Sequence, residues 1–286
     1  MSFEPLTEER IETDSTYDAG TTTQLMWGAR SDVGCVRPHN EDSYLVQSPL
    51  FCVCDGMGGH AAGEVASSIA VETIAKTAPQ SADAARLAAA VEAANAAVIE
   101  AALNGLGKPG MGCTATCAYI ENDTLAIAHV GDSRAYLLHE GTLIRVTRDH
   151  SYVEELVDAG EITADEARVH PNRSVITRAL GSDPAMYADH FTLHIEEGDR
   201  LILCSDGLSS MIPDSDIENI ATQSSTAQIC VDNLVDAALA AGGHDNVTVV
   251  VVDLVDDGVM REAQRVRRRN VTIGVVLGLV LVLAAA

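Results

Sequence analysis

Residues 51–63 read FCVCDGMGGHAAG, and the rest of the chain is organised around this stretch. The apolar run Phe51 to Cys54 predicts a buried strand, the glycines after Asp55 predict a turn, and a helical pattern begins near Ala61. The strand therefore presents the carboxylate of Asp55 at its end, beside backbone that carries too few side chains to block a close approach. Anionic oxygen from Asp55, together with the carbonyl of the neighbouring Gly56, suits a divalent cation.

Later stretches repeat this arrangement of an apolar run and an aspartate. The run Leu201 to Cys204 leads to Asp206, and Asp245 stands just before the run Val247 to Val252. We expect these aspartates and Asp55 to converge on one site, although they are far apart in sequence. A fourth aspartate, Asp132, follows another apolar run, Thr124 to Val130.

A charged hexapeptide, RPHNED at residues 37–42, lies between two strand-like runs. Pro38 excludes a central strand there, so the hexapeptide is predicted to form a loop or bulge. Taken alone, such a hexapeptide is most simply a solvated turn. With it, the candidate site contains six carboxylates and one arginine: Glu41, Asp42, Asp55, Asp132, Asp206, Asp245 and Arg37.

The rest of the chain predicts helices on one side of the strand pair, followed by a mainly β region. Alanine-rich helical patterns cover residues 61–78 and 82–103, which implies a helical layer packed on a sheet. Short strands with hairpin turns follow at residues 113–120, 124–130, 135–139 and 142–146, then an irregular polar segment at 148–181. A hairpin is predicted from residues 191–195 and 200–204, then helices after Asp206 and at 229–241, and a last strand at 246–254.

Composition restricts the classes of function. The formal net charge of −24 opposes binding to nucleic acid, and it suits a protein that attracts metal cations. A general role of acidic residues in solubility explains the same charge equally well. The seven cysteines are an odd number, mostly within apolar runs, which indicates reduced thiols rather than a disulfide framework. Their spacing does not match that of a zinc site.

Both ends of the chain differ from its body. Residues 1–23 are predicted to be a flexible acidic tail, since they lack apolar periodicity and the features of a signal peptide. Residues 259–270 form a basic linker, and residues 271–286 are uninterrupted, apolar and uncharged. As a helix this segment covers about 24 Å, so it predicts a membrane span that is short or cut off, and the basic linker would place the preceding domain in the cytoplasm. The alternative is a buried C-terminal helix or strand.

The predicted site favours hydrolysis of phosphate esters. So many carboxylates would repel one another unless cations lie between them, and a set of oxygen donors without sulfur or imidazole favours Mn²⁺ or Mg²⁺. Two such ions can share a water molecule and deprotonate it to a nucleophile. Arg37 beside them would hold a phosphoryl group in a two-point geometry.

Five ordered strings resemble one known family: RPHNED, VCDGMGGHAAGEVAS, HVGDSRAYLL, LILCSDGLS and GGHDNVTVVVVD. They are similar to those of the PPM-type metal-dependent serine/threonine protein phosphatases, or protein phosphatases type 2C, in the bacterial branch. The resemblance covers about Trp27 to Val255. It implies an α+β fold for a domain at residues 24–258, in which a central β-sandwich of two mainly antiparallel sheets is flanked by helix pairs.

The resemblance also implies roles for the residues of the site. Asp55 would bridge two metal ions, the Gly56 carbonyl would be a further ligand, and Asp206 and Asp245 would complete the first ion's shell. Glu41 would act mainly through metal-bound water, and Asp42 would lie in the same cluster. Asp132 would share a third, weaker metal with Asp206. Arg37 would bind the substrate phosphate, and residues 151–180 would form a flap beside the site.

The expected reaction is in-line attack on phosphoserine or phosphothreonine by water activated on Mn²⁺ or Mg²⁺, without a phosphoenzyme. No cysteine is followed six positions later by an arginine, as a cysteine-based phosphatase would need. One departure from the family concerns the general acid: Met57 stands where many eukaryotic members have histidine, and His60 is only a weak substitute. The expected partners are phosphoprotein substrates and the serine/threonine kinases that phosphorylate them, for a protein expected to be monomeric.

Two other readings remain open. The first is a catalytically weak or inactive regulator that binds phosphoproteins on the same fold; the presence of every acidic position argues against it. The second is a membrane-proximal scaffold whose acidic body only solubilises the anchor, which leaves the ordered strings unexplained.

Overall fold

The structure is a computed structural model that describes residues 15–22, 24–58 and 62–255. The strands are β1 (Ser15–Thr21), β2 (Leu25–Asp32), β3 (Ser43–Gln47), β4 (Leu50–Cys54), β5 (Gly56–Met57), β6 (Gly112–Cys113), β7 (Ala115–Glu121), β8 (Thr124–Val130), β9 (Arg134–His139), β10 (Thr142–Arg145), β11 (Asp189–His194), β12 (Arg200–Cys204) and β13 (Val247–Leu254). The helices are α1 (Ala62–Thr77), α2 (Ala84–Leu103), α3 (Tyr152–Asp158), α4 (Ala164–Arg168), α5 (Asp206–Ser209), α6 (Asp214–Gln223) and α7 (Ala227–Ala240).

Two large antiparallel sheets form the centre of the domain. One sheet has the strand order β1-β2-β13-β12-β9-β10, and the other has the order β11-β8-β7-β4-β3. A small ribbon of β5 and β6 extends from the second sheet. All the strand pairs described are antiparallel.

Alternate residues of the strands belong to different apolar layers. Phe51 and Val53 of β4 point to the layer between the sheets, where they join Leu203 of β12 and Val250 of β13. The intervening β4 residues point the other way, under α1 and α2. Helix α7 packs on the outer face of the six-stranded sheet. Strands buried on both faces are apolar throughout, which explains the continuous runs in the sequence. The α-β-β-α sandwich is confirmed.

The alanine-rich composition of α1 and α2 allows them to lie close to the sheet and to each other. The Asp83 side chain accepts a hydrogen bond from the backbone N–H of Arg86 and so caps the first turn of α2. Alanine has the highest helix propensity and loses no side-chain entropy, so α2 forms readily along its 20 residues. The helix pair thus covers the five-stranded sheet.

Two sequence predictions were wrong. The segments 191–195 and 200–204 do not form a hairpin, because β11 pairs with β8 in one sheet whereas β12 pairs with β9 and β13 in the other. The turn between them therefore crosses from one sheet to the other. The predicted tail, residues 1–23, is also partly wrong, because Ser15–Thr21 forms β1 on the edge beside β2. Residues 1–14 lie outside the described residues.

Two predicted hairpins are confirmed, because β7 pairs with β8 and β9 pairs with β10. Asn122 between β7 and β8 has φ of 52°, and Glu140 and Gly141 between β9 and β10 have φ of 49° and 80°. In the turn between β9 and β10, positive φ at both central residues is the geometry that suits the twist of a two-residue hairpin.

No helix within residues 15–22, 24–58 and 62–255 is long and apolar enough to cross a bilayer. The predicted basic linker, residues 259–270, and the predicted membrane span, residues 271–286, lie outside the described residues.

Candidate metal centre

Acidic side chains from both sheets meet at one end of the sandwich. Asp55 follows β4 and Asp42 precedes β3, at the paired ends Ser43 and Cys54 of those strands. Asp206 begins α5 just after β12, and Asp245 lies two residues before β13. The side chains of Asp55 and Asp206 are within hydrogen-bonding reach of each other. The structure therefore brings Asp55 and Asp206 close together from distant parts of the sequence, and the charge of Asp245 acts on both.

Asp132 joins this group from the connection between the sheets. Gly131, Asp132 and Ser133 link β8 in one sheet to β9 in the other. Asp132 is buried, and the charges of Asp206 and Asp149 act on its carboxylate. The crossing of the chain thus brings a further carboxylate to the same end of the sandwich.

Hydrogen bonds to Thr114 fix the backbone of Asp55. The Asp55 N–H donates to the Thr114 hydroxyl over 2.9 Å, and the Thr114 N–H donates to the Asp55 carbonyl over 2.8 Å. Ser133 lies 2.7 Å from the same hydroxyl. The end of β4 is therefore held by the residue between β6 and β7 and by the connection that bears Asp132.

The residue after Asp55 must be glycine. A Cβ atom at Gly56 would collide with the backbone carbonyls of Glu41 and Gly63. The backbone of the Arg37–Asp42 loop and the start of α1 consequently approach Gly56 more closely than any side chain would allow.

Asn246 holds the loop that carries Arg37 and Glu41. The backbone N–H of Glu41 donates to the Asn246 Oδ1 over 2.8 Å. The Asn246 Nδ2 donates to the carbonyls of Val33 and His39, each over 2.9 Å. One side chain at the start of β13 thus positions both ends of the loop.

Thr248 positions Asp42 in the same way. Its hydroxyl donates to the Asp42 Oδ2 over 2.7 Å, while the buried Asp42 Oδ1 has no hydrogen-bond partner among the described residues. Burial raises the pKa of Asp42 to about 7, although the hydrogen bonds from Thr248 and Ser205 oppose the rise.

Burial and mutual repulsion act on the other carboxylates too. Burial, and then the charges of Asp42 and Asp206, raise the pKa of Asp55 well above its usual range. Burial and the charge of Asp245 raise the pKa of Asp206 to about 6. Burial also raises the pKa of Asp132. The cluster is consequently an unfavourable concentration of negative charge unless protons or cations offset it.

Arg37 lies at the rim of this cluster. Its Nη2 donates to the Asp245 Oδ2 over 2.7 Å, and its side chain is about half exposed, 49%. The hydrogen bond to Asp245 raises the pKa of Arg37, with smaller contributions from the charges of Asp245, Glu41 and Asp206. An exposed guanidinium at this position is accessible to an incoming anion.

The oxygen atoms of these side chains are the type of ligand that a hard divalent cation prefers, but their present arrangement is not a coordination sphere. The donors are oxygens, and the buried Oδ1 atoms of Asp42 and Asp132 have no partner within the described part of the chain. Among those residues, however, no three acidic, histidine or cysteine side chains are arranged as a ligand set. The carboxylate of Asp245, one of the expected ligands, is paired with Arg37.

A cleft of about 420 Å³ opens beside the cluster. Asp206 and Asp245 line one part of it, and α3 and α4, which lie within the predicted flap, line the other. The Arg168 Nη1 on α4 donates to the backbone carbonyl of Ser209 at the end of α5 over 3.0 Å. The segment that is predicted to be a flap is thus hydrogen-bonded to the helix that begins with Asp206.

Sequence reasoning missed the residues that position the site. Asn246, Thr248 and Thr114 were not singled out, although Asn246 and Thr248 are polar residues at and within an otherwise apolar run. Met57 lies partly buried in β5 beside the site, and His60 lies outside the described residues.

Comparisons with known proteins show what this chain is similar to. The sequence profile of a family described as protein phosphatase 2C matches residues 29–247. The serine/threonine protein phosphatase PstP of Mycobacterium tuberculosis is 43% identical over 244 residues, which are 83% of this chain and 46% of PstP. The chain therefore spans less than half the length of that relative.

Two further comparisons cover most of the other protein. The serine/threonine phosphatase stp of Listeria welshimeri is 37% identical over 236 residues, 78% of this chain and 94% of that protein. A crystal structure of the catalytic domain of PstP, in complex with two manganese ions, superposes with a TM-score of 0.75 at 40% identity, covering 82% of this chain and 99% of that one.

Proposed function

Because the chain belongs to the protein phosphatase 2C family, we propose that it hydrolyses phosphoserine and phosphothreonine in proteins with the help of divalent cations. The observation that carries the proposal is the meeting of carboxylates from both sheets beside an exposed arginine. The proposal extends to substrates phosphorylated by serine/threonine kinases, which this protein would oppose.

Mn²⁺ or Mg²⁺ ions would be held by residues at the strand ends, and the two manganese ions in the PstP catalytic domain support this assignment. The proposed ligands are Asp55, the Gly56 carbonyl, Asp206 and Asp245, with Glu41 and Asp42 beside them and Asp132 for a third ion. When bound, such cations supply Lewis acidity that lowers the pKa of water and offsets negative charge on the phosphate.

The chain's own residues bind and orient the substrate. Arg37 would contact two phosphate oxygens through its planar guanidinium, since the side chain is exposed and points toward the cluster. Binding of the phosphate would replace the hydrogen bond to Asp245 and free that carboxylate to act as a ligand. Asn246 and Thr248 keep Glu41 and Asp42 in place during this exchange.

The cleft lies between the proposed metal ligands and the proposed flap, and we propose that it holds a segment of the phosphoprotein substrate. We assign the phosphatase domain to residues 24–258 and the flap to about residues 151–180, whose helices α3 and α4 border the cleft. An extended phosphopeptide in the cleft would contact both the flap and the rim near Arg37.

Hydrolysis of p-nitrophenyl phosphate and of a phosphothreonine peptide, with and without Mn²⁺, tests the proposal. We expect activity with Mn²⁺, none after EDTA, and a loss of at least about 100-fold in the variant Asp206→Asn/Asp245→Asn. Glu92→Gln on the exposed side of α2, a helix that does not line the cleft, is the matched control and should retain activity. Activity that persists in EDTA or in the double variant would overturn the assignment.

The same assays separate an enzyme from a regulator that only binds phosphoproteins. Such a regulator would bind the phosphopeptide in a calorimeter and yet release no phosphate. Rapid phosphate release with Mn²⁺ would therefore exclude it.

We further propose that residues 271–286 attach the domain to a membrane with the domain in the cytoplasm; the apolar run after a basic linker supports this. Fractionation of cells that express the full chain, and of cells that express residues 1–258, tests the attachment. The full chain should sediment with membranes and the shorter one should not; a full chain found wholly in the soluble fraction would contradict the proposal.

A further inference from the structure

Four of the seven cysteines form one buried array under the helix pair α1 and α2. The Sγ atoms of Cys52 and Cys117 lie 2.9 Å apart, and those of Cys52 and Cys54 lie 3.6 Å apart. Cys54 in turn is hydrogen-bonded to Cys113. The candidate metal centre uses none of these thiols, and all four are fully buried.

Cys52 and Cys117 have the backbone arrangement that a disulfide needs. They are direct cross-strand partners in the antiparallel pair of β4 and β7. The Cα atoms of such partners are about 4.5 or 5.5 Å apart, and disulfides join Cα atoms about 4.4–6.8 Å apart. Both side chains point into the same layer, since alternate residues of each strand face α1 and α2.

We propose that Cys52 and Cys117 are a reversible disulfide site, oxidised by a hydroperoxide such as hydrogen peroxide, that covalently joins β4 to β7. The sulfur–sulfur distance must shorten from 2.9 Å to about 2.05 Å, a change that side-chain rotation supplies without a change of strand register. The proposal does not depend on the phosphatase activity.

The oxidation is balanced by the peroxide alone. One sulfur, as a thiolate, attacks an oxygen of hydrogen peroxide and the O–O bond breaks. A sulfenic acid forms, and the hydroxide that leaves takes up the proton lost by the thiol and becomes water. The second sulfur then displaces the sulfenic oxygen, which leaves as water once protonated, and the S–S bond forms. Overall, two thiols lose two protons and two electrons, and one hydrogen peroxide becomes two water molecules.

Burial controls how fast this reaction proceeds. Burial raises the pKa of both Cys52 and Cys117, so the thiols remain protonated while the helix layer is closed. Hydrogen peroxide is little larger than water, and a local opening of α1 from the sheet suffices to admit it. We therefore expect the exposed Cys35 to oxidise first and the buried pair to follow more slowly.

Peptide mapping of the folded protein tests the proposal. The variant Cys35→Ser is used throughout so that the exposed thiol cannot join two molecules. After treatment with hydrogen peroxide and removal of the excess, the protein is denatured, its free thiols are alkylated, and it is digested. We expect a peptide pair joined through Cys52 and Cys117, lighter than the separate peptides by two hydrogen atoms and lost on treatment with dithiothreitol. Free alkylation of both residues, or a link from Cys54 to Cys113 instead, would overturn the proposal.

Thermal unfolding gives a second and independent readout. A link between residues 52 and 117 closes a long loop in the unfolded chain, so oxidation should raise the unfolding midpoint by about 5 °C or more. When Cys117→Ala is combined with Cys35→Ser, both the disulfide and the rise in the unfolding midpoint should be abolished. Added Cys204→Ala, at an equally buried cysteine in the layer under α7, should retain both. If Cys117→Ala does not fold, the peptide map of the parent protein still decides the outcome.

Discussion

The Nη2 of Arg37 donates to the Oδ2 of Asp245 over 2.7 Å, so the proposed phosphate-binding residue is paired with a proposed metal ligand. Both side chains are at least partly exposed, so the ion pair contributes at most about 1 kcal/mol to folding. The ion pair matters for binding, because a phosphate that binds Arg37 competes with Asp245 for the same guanidinium.

Substitution of Arg37 should therefore affect substrate binding far more than stability. For Arg37→Ala we expect KM for p-nitrophenyl phosphate to rise about 10- to 100-fold, the equivalent of about 1.5–3 kcal/mol for a charged hydrogen bond. Arg37→Lys keeps the positive charge but loses the planar guanidinium that makes two parallel hydrogen bonds. Its KM should therefore lie between that of the original protein and that of Arg37→Ala. Steady-state kinetics together with urea unfolding measure both effects, and an unchanged KM in Arg37→Ala would contradict the assigned role.

Stabilisation by Mn²⁺ should grow as the pH rises. The folded-state pKa is about 7 for Asp42 and about 6 for Asp206, both above the value of about 4 in an unfolded chain. At pH values between about 4 and 7, the folded state binds more protons than the unfolded state. Without cations, the free energy of unfolding therefore falls as the pH rises through this range. Cations replace the protons, so the Mn²⁺-induced rise in the unfolding midpoint should be larger at pH 8 than at pH 5. Scanning calorimetry in MnCl₂ and in EDTA measures this difference, and an equal rise at both values would contradict it.

Removal of the Thr248 hydroxyl should destabilise the domain and weaken cation binding. Thr248→Val has nearly the same shape but leaves the Asp42 Oδ2 and the Ser31 hydroxyl without this partner. We expect a loss of about 1–3 kcal/mol in the free energy of unfolding. Thr192→Val on the exposed face of β11 is the matched control and should change the stability by less than about 0.5 kcal/mol. Equal stabilities of the two variants would show that Thr248 does not position Asp42.

His129 should make the domain sensitive to acid. Its ring is buried, stacked on His150 with centroids 5.0 Å apart, and its Nε2 lies 3.0 Å from the Arg148 carbonyl. Burial, and then the charge of His150, lower its pKa to about 4. Below about pH 6.5 the unfolded chain binds a proton that the folded domain does not, so stability falls as the pH drops toward 4, by about 3 kcal/mol in all.

Urea unfolding of the original protein and of His129→Gln from pH 7 to pH 4.5, in EDTA, isolates this contribution. The carboxylate cluster is common to both proteins, so the difference between their curves reports His129. The difference in the free energy of unfolding between the two proteins should become smaller as the pH falls. Only the original protein has the His129 ring, whose protonation favours the unfolded chain. Parallel curves would contradict the prediction.

The hydrogen bond from Arg168 to Ser209 should matter for protein substrates only. Arg168→Ala removes the bond between α4 and α5, and we expect KM for a phosphothreonine peptide to rise roughly 3- to 10-fold, the equivalent of a neutral-acceptor hydrogen bond. KM for p-nitrophenyl phosphate should stay the same, since that substrate is too small to contact α4. Arg86→Ala on α2 is the control, and an equal effect on both substrates would exclude a role for the flap.

The layers of the fold could be predicted from the sequence because burial leaves a recognisable pattern of residues in each strand and helix. Strands buried on both faces, such as β4 and β13, must be apolar throughout, and α2 must be rich in small helix-forming residues. The pairing of β11 was missed because the turn before β12 has the composition of a hairpin, whereas the actual partner, β8, lies about 60 residues earlier. Strand β1 was missed because it is largely exposed and is held by its backbone pairing with β2.

The aspartates of the centre could be predicted because carboxylates at strand ends are chemically conspicuous. The residues that position them could not. Asn246 acts on backbone groups of Val33, His39 and Glu41, more than 200 positions away, and amide side chains in such a role leave no local pattern. The ion pair between Arg37 and Asp245 was also not foreseen, because it depends on where two loops meet.

The layer of apolar side chains between the two sheets also sets the width of the centre. Asp42 and Asp55 extend from one sheet and Asp206 and Asp245 from the other, so the spacing of the two carboxylate groups depends on the thickness of the apolar layer that contains Phe51 and Leu203. A methylene added or removed in that packing would shift one half of the centre against the other by a fraction of an ångström. Turnover should decline in such variants while the protein is still fully folded, so the interior acts as a spacer for chemistry that takes place at its edge.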